Sequence, residues 1–123
     1  MAKIIIVDDS LYMRTMLKHI LTDAGHEVVG EAPDAKNAIR IIEEKKPDIV
    51  TLDIILPDST GLDVLKTIRA QNTLLKIVMV TAVGQEVIME EAQGLGAIDY
   101  ILKPFSEEKV AKVINKVAGS LAY

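Results

Sequence analysis

Five short runs of β-branched and aliphatic residues, each followed by a stretch of helical periodicity, constrain the fold of this chain more than any other feature. The runs are Lys3 to Val7, Glu27 to Gly30, Asp48 to Leu52, Lys76 to Thr81 and Ile98 to Leu102. Most are nearly continuous Ile, Val and Leu instead of alternating with polar residues. A strand with one wet face alternates. A strand covered on both faces does not, and such burial belongs to parallel sheets sandwiched between helices.

The intervening segments supply those helices. The first starts with Ser10 as N-cap, spaces Met13, Leu17, Ile20, Leu21 and Ala24 along one apolar face, and stops at Gly25. The last opens with Ser106-Glu107-Glu108, acids at the positive end of its dipole, and stacks Val110, Val113, Ile114, Val117 and Leu121. The middle three span Ala35 to Lys45, Gly61 to Gln71 and Glu86 to Leu95. The order βαβαβαβαβα requires right-handed crossovers, so the expected fold is α/β, a doubly wound (βα)5 unit with a five-stranded parallel sheet. The 123 residues suit one core and leave no room for a second.

Composition removes several kinds of chemistry. With no cysteine, disulfide scaffolds, thiolate zinc sites and cysteine nucleophiles are excluded. The apolar runs fall far short of the ~20 residues of a membrane span, and the start MAKIIIVDD lacks the layout of a signal peptide, so a cytoplasmic location is expected. The net charge of −4 and a single Phe with three Tyr speak against a nucleic-acid footprint.

In doubly wound sheets, sites form beyond the carboxyl ends of the strands. Here the first strand ends in Asp8-Asp9, the third in Asp53, the fourth in Thr81-Ala82 and the fifth in Lys103-Pro104. Three carboxylates in one cleft repel one another unless a cation neutralises them. A hard divalent ion such as Mg2+, which takes oxygen ligands and keeps several waters, fits that need. If Asp8 and Asp9 hold most of the metal, Asp53 is free to attack a phosphoryl group, with Lys103 and the Thr81 hydroxyl neutralising the transferred oxygens. Setting these three acids aside leaves 15 acids against 14 bases, so most of the excess charge belongs to the candidate site.

These residues carry a resemblance. Val7-Asp8-Asp9-Ser10, Thr51-Leu52-Asp53 followed by Leu56-Pro57 and Gly61, Val80-Thr81-Ala82, Gly96-Ala97 leading to Asp99-Tyr100, and Lys103-Pro104-Phe105 together resemble the response-regulator receiver domain over all of residues 1–123. The resemblance implies a flavodoxin-like sheet of order 2-1-3-4-5 with no output domain, acting as a phosphoacceptor and not as an enzyme in the ordinary sense. It implies Asp53 as phosphoacceptor and Mg2+ on Asp8, Asp9, Asp53 and the Ile55 carbonyl. Ala82 would contact the phosphate through its backbone, Thr81 and Tyr100 would form a switch pair, and the Lys103-Pro104 bond would be cis. Within the family, Met13-Arg14 and Ala82-Val83-Gly84-Gln85 resemble the CheY type of chemotaxis receiver. The partners so implied are a histidine kinase of the CheA type, a phosphatase, and a flagellar motor switch protein of the FliM type or a phosphorelay protein, with the chain itself a monomer that binds neither nucleic acid nor membrane.

Two departures from the family pattern stand out. Thr60 precedes Gly61 where many relatives carry Asp or Asn, and the residues two beyond Asp53 and Thr81 are the apolar Ile55 and Val83. Apolar side chains there cannot orient an attacking water, which predicts slow loss of phosphate from Asp53. Glu86, at the start of the fourth helix, stands where motor-binding relatives often have a basic residue. Other sequence features have simpler explanations: Ser10 caps a helix and lacks a G-x-S-x-G turn, and His19 and His26 are expected on the surface.

The competing functions are a dehalogenase-like phosphatase, whose acids would follow the first strand as Asp-x-Asp, and a flavodoxin-like cofactor carrier, whose phosphate loop would sit where Asp8 and Asp9 stand. A phosphorelay intermediate and a receiver-shaped module that no longer takes phosphate are the alternatives within the family.

Overall fold

The computed structural model describes residues 1–72 and 74–120. Its elements run β1 (Lys3–Val7), α1 (Leu11–Asp23), β2 (Glu27–Ala32), α2 (Ala35–Lys45), β3 (Ile49–Leu52), α3 (Gly61–Gln71), β4 (Lys76–Thr81), α4 (Glu86–Gly94), β5 (Asp99–Leu102) and α5 (Glu107–Gly119). All strand pairs are parallel, in the order β2-β1-β3-β4-β5.

The unbroken apolar runs are explained by the two sides of this sheet. Successive residues point to opposite faces, and both faces are covered. Ile4, Ile6, Ile49, Val78, Val80 and Ile101 pack with Leu17, Ile20 and Leu21 of α1 and with Val110, Val113, Ile114 and Val117 of α5. Ile5, Val7, Val50, Leu52, Ile77 and Met79 pack with α2, α3 and α4. Neither layer reaches solvent through the sheet.

Four helices begin with the same device. The side chains of Ser10, Asp34, Thr60 and Ser106 accept from the backbone N–H three residues on, satisfying a donor that the helix itself leaves unpaired. The exception is α4, whose N-cap Gln85 makes no such bond and whose only buried residue is Ala92. It is the least rooted helix of the fold.

The expected limits hold for β1, β4, α2 and α3, while β2 runs on to Ala32, β3 and β5 each begin one residue later, and α4 stops at Gly94. Gly25 follows α1 with φ +92°, a left-handed conformation natural to glycine. Met13 and Ala24 of the expected α1 face are half-buried, and Leu121 lies outside the described residues. His19 is exposed, as expected, but His26 is not a surface residue. Its Nδ1 accepts from the Ala2 N–H at 3.1 Å and its Nε2 lies 2.7 Å from Asn115 Oδ1, so it joins the entry of β1 to α5 at the end of the sheet opposite the carboxyl ends.

Candidate functional site

The register of the sheet decides which side chains meet. Val7 pairs with both Ala32 and Leu52, so Asp8 and Asp53, one residue further along, emerge side by side. Backbone bonds from Asp8 N–H to Ala32 O and from Asp53 N–H to Val7 O, both 3.1 Å, extend the ladder to these positions. Thr81 pairs with Leu102, and Lys103 N–H donates to Thr81 O at 2.9 Å, placing Lys103 just past the end of β5. The Lys103-Pro104 bond is cis.

The carboxylates of Asp8, Asp9 and Asp53 offer oxygens that all lie within 4.8 Å of one another. Asp8 and Asp53 are buried and Asp9 is exposed, which leaves the cluster open on one side. Lys103 Nζ donates to Asp8 Oδ2 at 2.6 Å and to Asp53 Oδ2 at 2.8 Å. Burial alone would lower the pKa of this ammonium, but its bonds to Asp53 and Asp8 outweigh that effect and raise it, so Lys103 stays charged. One cation facing three carboxylates leaves net negative charge, and a donor set of hard oxygens is able to hold a divalent metal.

The other oxygens of the buried acids are held by backbone. Asp8 Oδ1 accepts from Ser10 N–H at 2.9 Å and Asp53 Oδ1 from Ile55 N–H at 3.2 Å. Each acid is thereby turned so that its second oxygen meets Lys103. The loop carrying Asp53 is anchored twice more. Asp58 accepts from Ala35 and Lys36 N–H at the start of α2, and the Ala35 bond, against a smaller opposing effect of desolvation, holds its carboxyl below the usual range. Gly61 N–H donates to Ile54 O at 2.7 Å, and α3 begins so close to Asp53 that a Cβ on Gly61 would stand 2.0 Å from Asp53 O. Only glycine fits there, a reason for Gly61 that its place in the motif did not reveal.

Thr81 is fully buried, and its Oγ1 accepts from Val83 N–H at 3.3 Å. Tyr100 on β5 donates its hydroxyl to the carbonyl of the same Val83. Thr81 and Tyr100 therefore hold one residue, Val83, by its N–H and its carbonyl. The Tyr100 phenol is pushed above its ordinary pKa first by burial and then by the negative charge of Asp53. Ile55 is 63% exposed beside the acids, while Val83 is half-buried and Ala82 exposed.

Arg14, named in the sequence only as part of the resemblance, has contacts that the sequence reading did not foresee. From the first turn of α1 its Nη1 donates to the Asp8 carbonyl at 2.7 Å, while Nε bonds Glu31 at 3.1 Å near the end of β2. A basic residue four positions past the N-cap, following two acids, was the available signal; its Glu31 partner lies 17 residues away.

Similarities to known proteins bear on this geometry. The family model of the response regulator receiver domain matches residues 4–115. The chemotaxis protein CheY of Thermotoga maritima is 44% identical over 116 residues, covering 94% of this chain and 97% of that protein. CheY of Listeria monocytogenes is 43% identical over 118 residues, covering 96% and 99%. A chain from the CheX-CheY-BeF3-Mg2+ complex of Borrelia burgdorferi superposes with a TM-score of 0.92 at 30% identity, over 94% of this chain and 88% of that one. Among the described residues, no helix is long and apolar enough to cross a membrane.

Proposed function

The chain belongs to the response regulator receiver domain family, and we propose that it is a stand-alone phosphoacceptor of chemotaxis signalling in the cytoplasm, charged at Asp53 by a histidine kinase of the CheA type. The observation that carries this reading is the pair of hydrogen bonds that Lys103 donates to Asp8 and Asp53 beside Asp9, a buried carboxylate with its counter-charge already in place.

Asp8, Asp9 and Asp53, with the Ile55 carbonyl, are the residues that would hold Mg2+. When bound, the ion would offset the negative charge that gathers as a phosphoryl group nears three carboxylates. Asp53 supplies a carboxylate oxygen to phosphorus as the phosphorus–nitrogen bond to the donor histidine breaks, and the imidazole departs with the bond's electron pair. Lys103, 2.8 Å from Asp53 Oδ2, is within reach of an oxygen on a group attached there. Ala82 N–H and the Thr81 hydroxyl serve the remaining oxygens. When Thr81 turns toward the phosphate it gives up the Val83 N–H, and Tyr100 feels the change through the Val83 carbonyl. Reversing a 99:1 preference for the resting state takes about 5.5 kcal/mol, which several charge-assisted contacts can supply.

The outputs proposed are a motor switch protein of the FliM type and a phosphatase, met by the chain as a monomer. The test is incubation with a small phosphodonor, with and without Mg2+, followed by intact mass. One phosphoryl group should add to the wild type only with Mg2+ and not to Asp53→Asn; equal labelling of the variant, or labelling indifferent to Mg2+, overturns the mechanism.

A further inference from the structure

The three acids of the cluster are not equally secured. Lys103 and a backbone N–H fix each of the buried carboxylates, Asp8 and Asp53. The Asp9 carboxylate is exposed and has no hydrogen-bond partner among the described residues. It nevertheless offers an oxygen within 4.8 Å of those of Asp8 and Asp53. What keeps it there is the backbone that carries it.

That backbone has already left the sheet. Val7 is the last residue of β1 paired on both sides, and the Asp8 N–H extends the ladder by one bond to Ala32 O. The Asp8 carbonyl lies one step further, in the peptide that joins Asp8 to Asp9. Because a peptide is planar, a bond to this oxygen restrains the tilt of the whole unit, the Asp9 Cα included. Arg14 Nη1 makes that bond at 2.7 Å. The guanidinium is aimed in its turn: Nε donates at 3.1 Å to Glu31, which stands on β2 opposite Ile6 of β1, and Lys18 lies 3.9 Å from the second Glu31 oxygen. Side-chain exposures of 14% for Arg14 and 29% for Glu31 shelter the pair from water. A planar fork serves two acceptors in fixed directions at once, which an ammonium on a flexible stem does not.

We propose that Arg14, braced by Glu31, is a positioning residue for divalent-cation binding: it holds the Asp8–Asp9 peptide so that Asp9 faces the cluster. The proposal rests on the function proposed above, which places Mg2+ on these acids. Charge alone would act in the opposite sense. A guanidinium beside three carboxylates competes with an incoming cation, so removing a mere bystander would tighten Mg2+ binding, whereas removing a positioning residue loosens it.

The test is calorimetric titration of Mg2+ into the whole chain, with the fold of each variant checked by circular dichroism. Arg14→Met and Arg14→Lys should both raise the Mg2+ Kd about tenfold, the lower end of what contacts behind metal ligands are worth. Glu31→Gln keeps the guanidinium but loosens its aim; it should raise the Kd about threefold and carries the test if the Arg14 variants fail to fold. Labelling by a small phosphodonor should need correspondingly more Mg2+, and at saturating Mg2+ should return to within about twofold of the wild-type rate. An unchanged or lower Kd in Arg14→Met, a wild-type Kd in Arg14→Lys, or a lower urea midpoint with no change in Kd overturns the inference and leaves the phosphoacceptor function standing. A wild type that takes up no Mg2+ overturns that function, and this inference with it.

Discussion

Replacing Lys103 with Met isolates the electrostatics of the site, because the stem survives and only the charge leaves. The ammonium sits 2.6 Å from Asp8 and 2.8 Å from Asp53, with side-chain exposures of 15%, 2% and 9% for the lysine and the two acids. Without it, two carboxylates remain with oxygens no more than 4.8 Å apart. At an effective dielectric constant near 20, two unit charges at that separation repel by about 3 kcal/mol. Stripping one partner from a buried ion pair typically costs about 3–5 kcal/mol, so both routes converge on a loss of about 3 kcal/mol in urea unfolding at pH 7.5 with EDTA. The pH is chosen with the sign in mind. The raised pKa of Lys103 means that its contribution is complete below the ordinary lysine value near 10.5 and fades only as pH rises through the folded value. Mg2+ should then stabilise the variant more than the wild type, because it replaces a charge that the wild type already has; a ligand at a hundred times its Kd contributes about 2.7 kcal/mol. A deficit under about 0.5 kcal/mol in EDTA, or equal Mg2+ stabilisation of both proteins, refutes the reasoning.

Further outcomes follow from named residues. Gly61→Ala should cost about 2 kcal/mol or more in urea unfolding and slow phosphorylation, because its Cβ meets the fixed Asp53 carbonyl. Gly30→Ala should cost less, since its nearest neighbour is the movable end of Ile41. Titrated by phenolate absorbance, one tyrosine should ionise above pH 10, and Asp53→Asn should bring that pKa down by removing the charge that helps raise it; an unmoved curve refutes the coupling. The stability this phenol contributes is complete below about pH 10 and is lost as pH rises through its raised value. His26→Ala strands the buried Ala2 N–H and should cost about 1–3 kcal/mol, while phosphorylation, at the far end of the sheet, is unchanged. Ile55→Asn should speed the decay of phosphorylated chain several-fold, followed by loss of the added mass, because a polar group beside the phosphate can hold the attacking water.

Strands and helices with strong local punctuation were legible from the residues alone. The Ser10 cap and the Ser106-Glu107-Glu108 opening mark the starts of α1 and α5 without help from the rest of the fold. Where tertiary pairing decides, local propensity fell short. Glu31 and Ala32 belong to β2 because Ile6 and Val7 of β1 continue alongside them, and Asp48, just before β3, accepts from the Lys3 N–H through its carboxylate. The acids and Lys103 were legible because parallel topology sends every strand end to one edge. Val83 was not, since its part lies in backbone groups that any residue carries. His26 was misplaced for a related reason: its partners Ala2 and Asn115 stand 24 and 89 residues away, and a histidine after a helix-ending glycine gives no sign of either.

The lysine that faces Asp8 does so across 95 residues of chain and from the outermost strand, so one ammonium laces the beginning of the fold to its end. Partial opening of the C-terminal unit, β5 with α5, must break that lacing before the unit can detach. Amide exchange in β5 and α5 should therefore slow when phosphate occupies Asp53 and draws Lys103 inward, even at amides far from the acids. On the function proposed, the bond from Lys103 to Asp53 makes the cohesion of β5 and α5 a gauge of whether the site is charged.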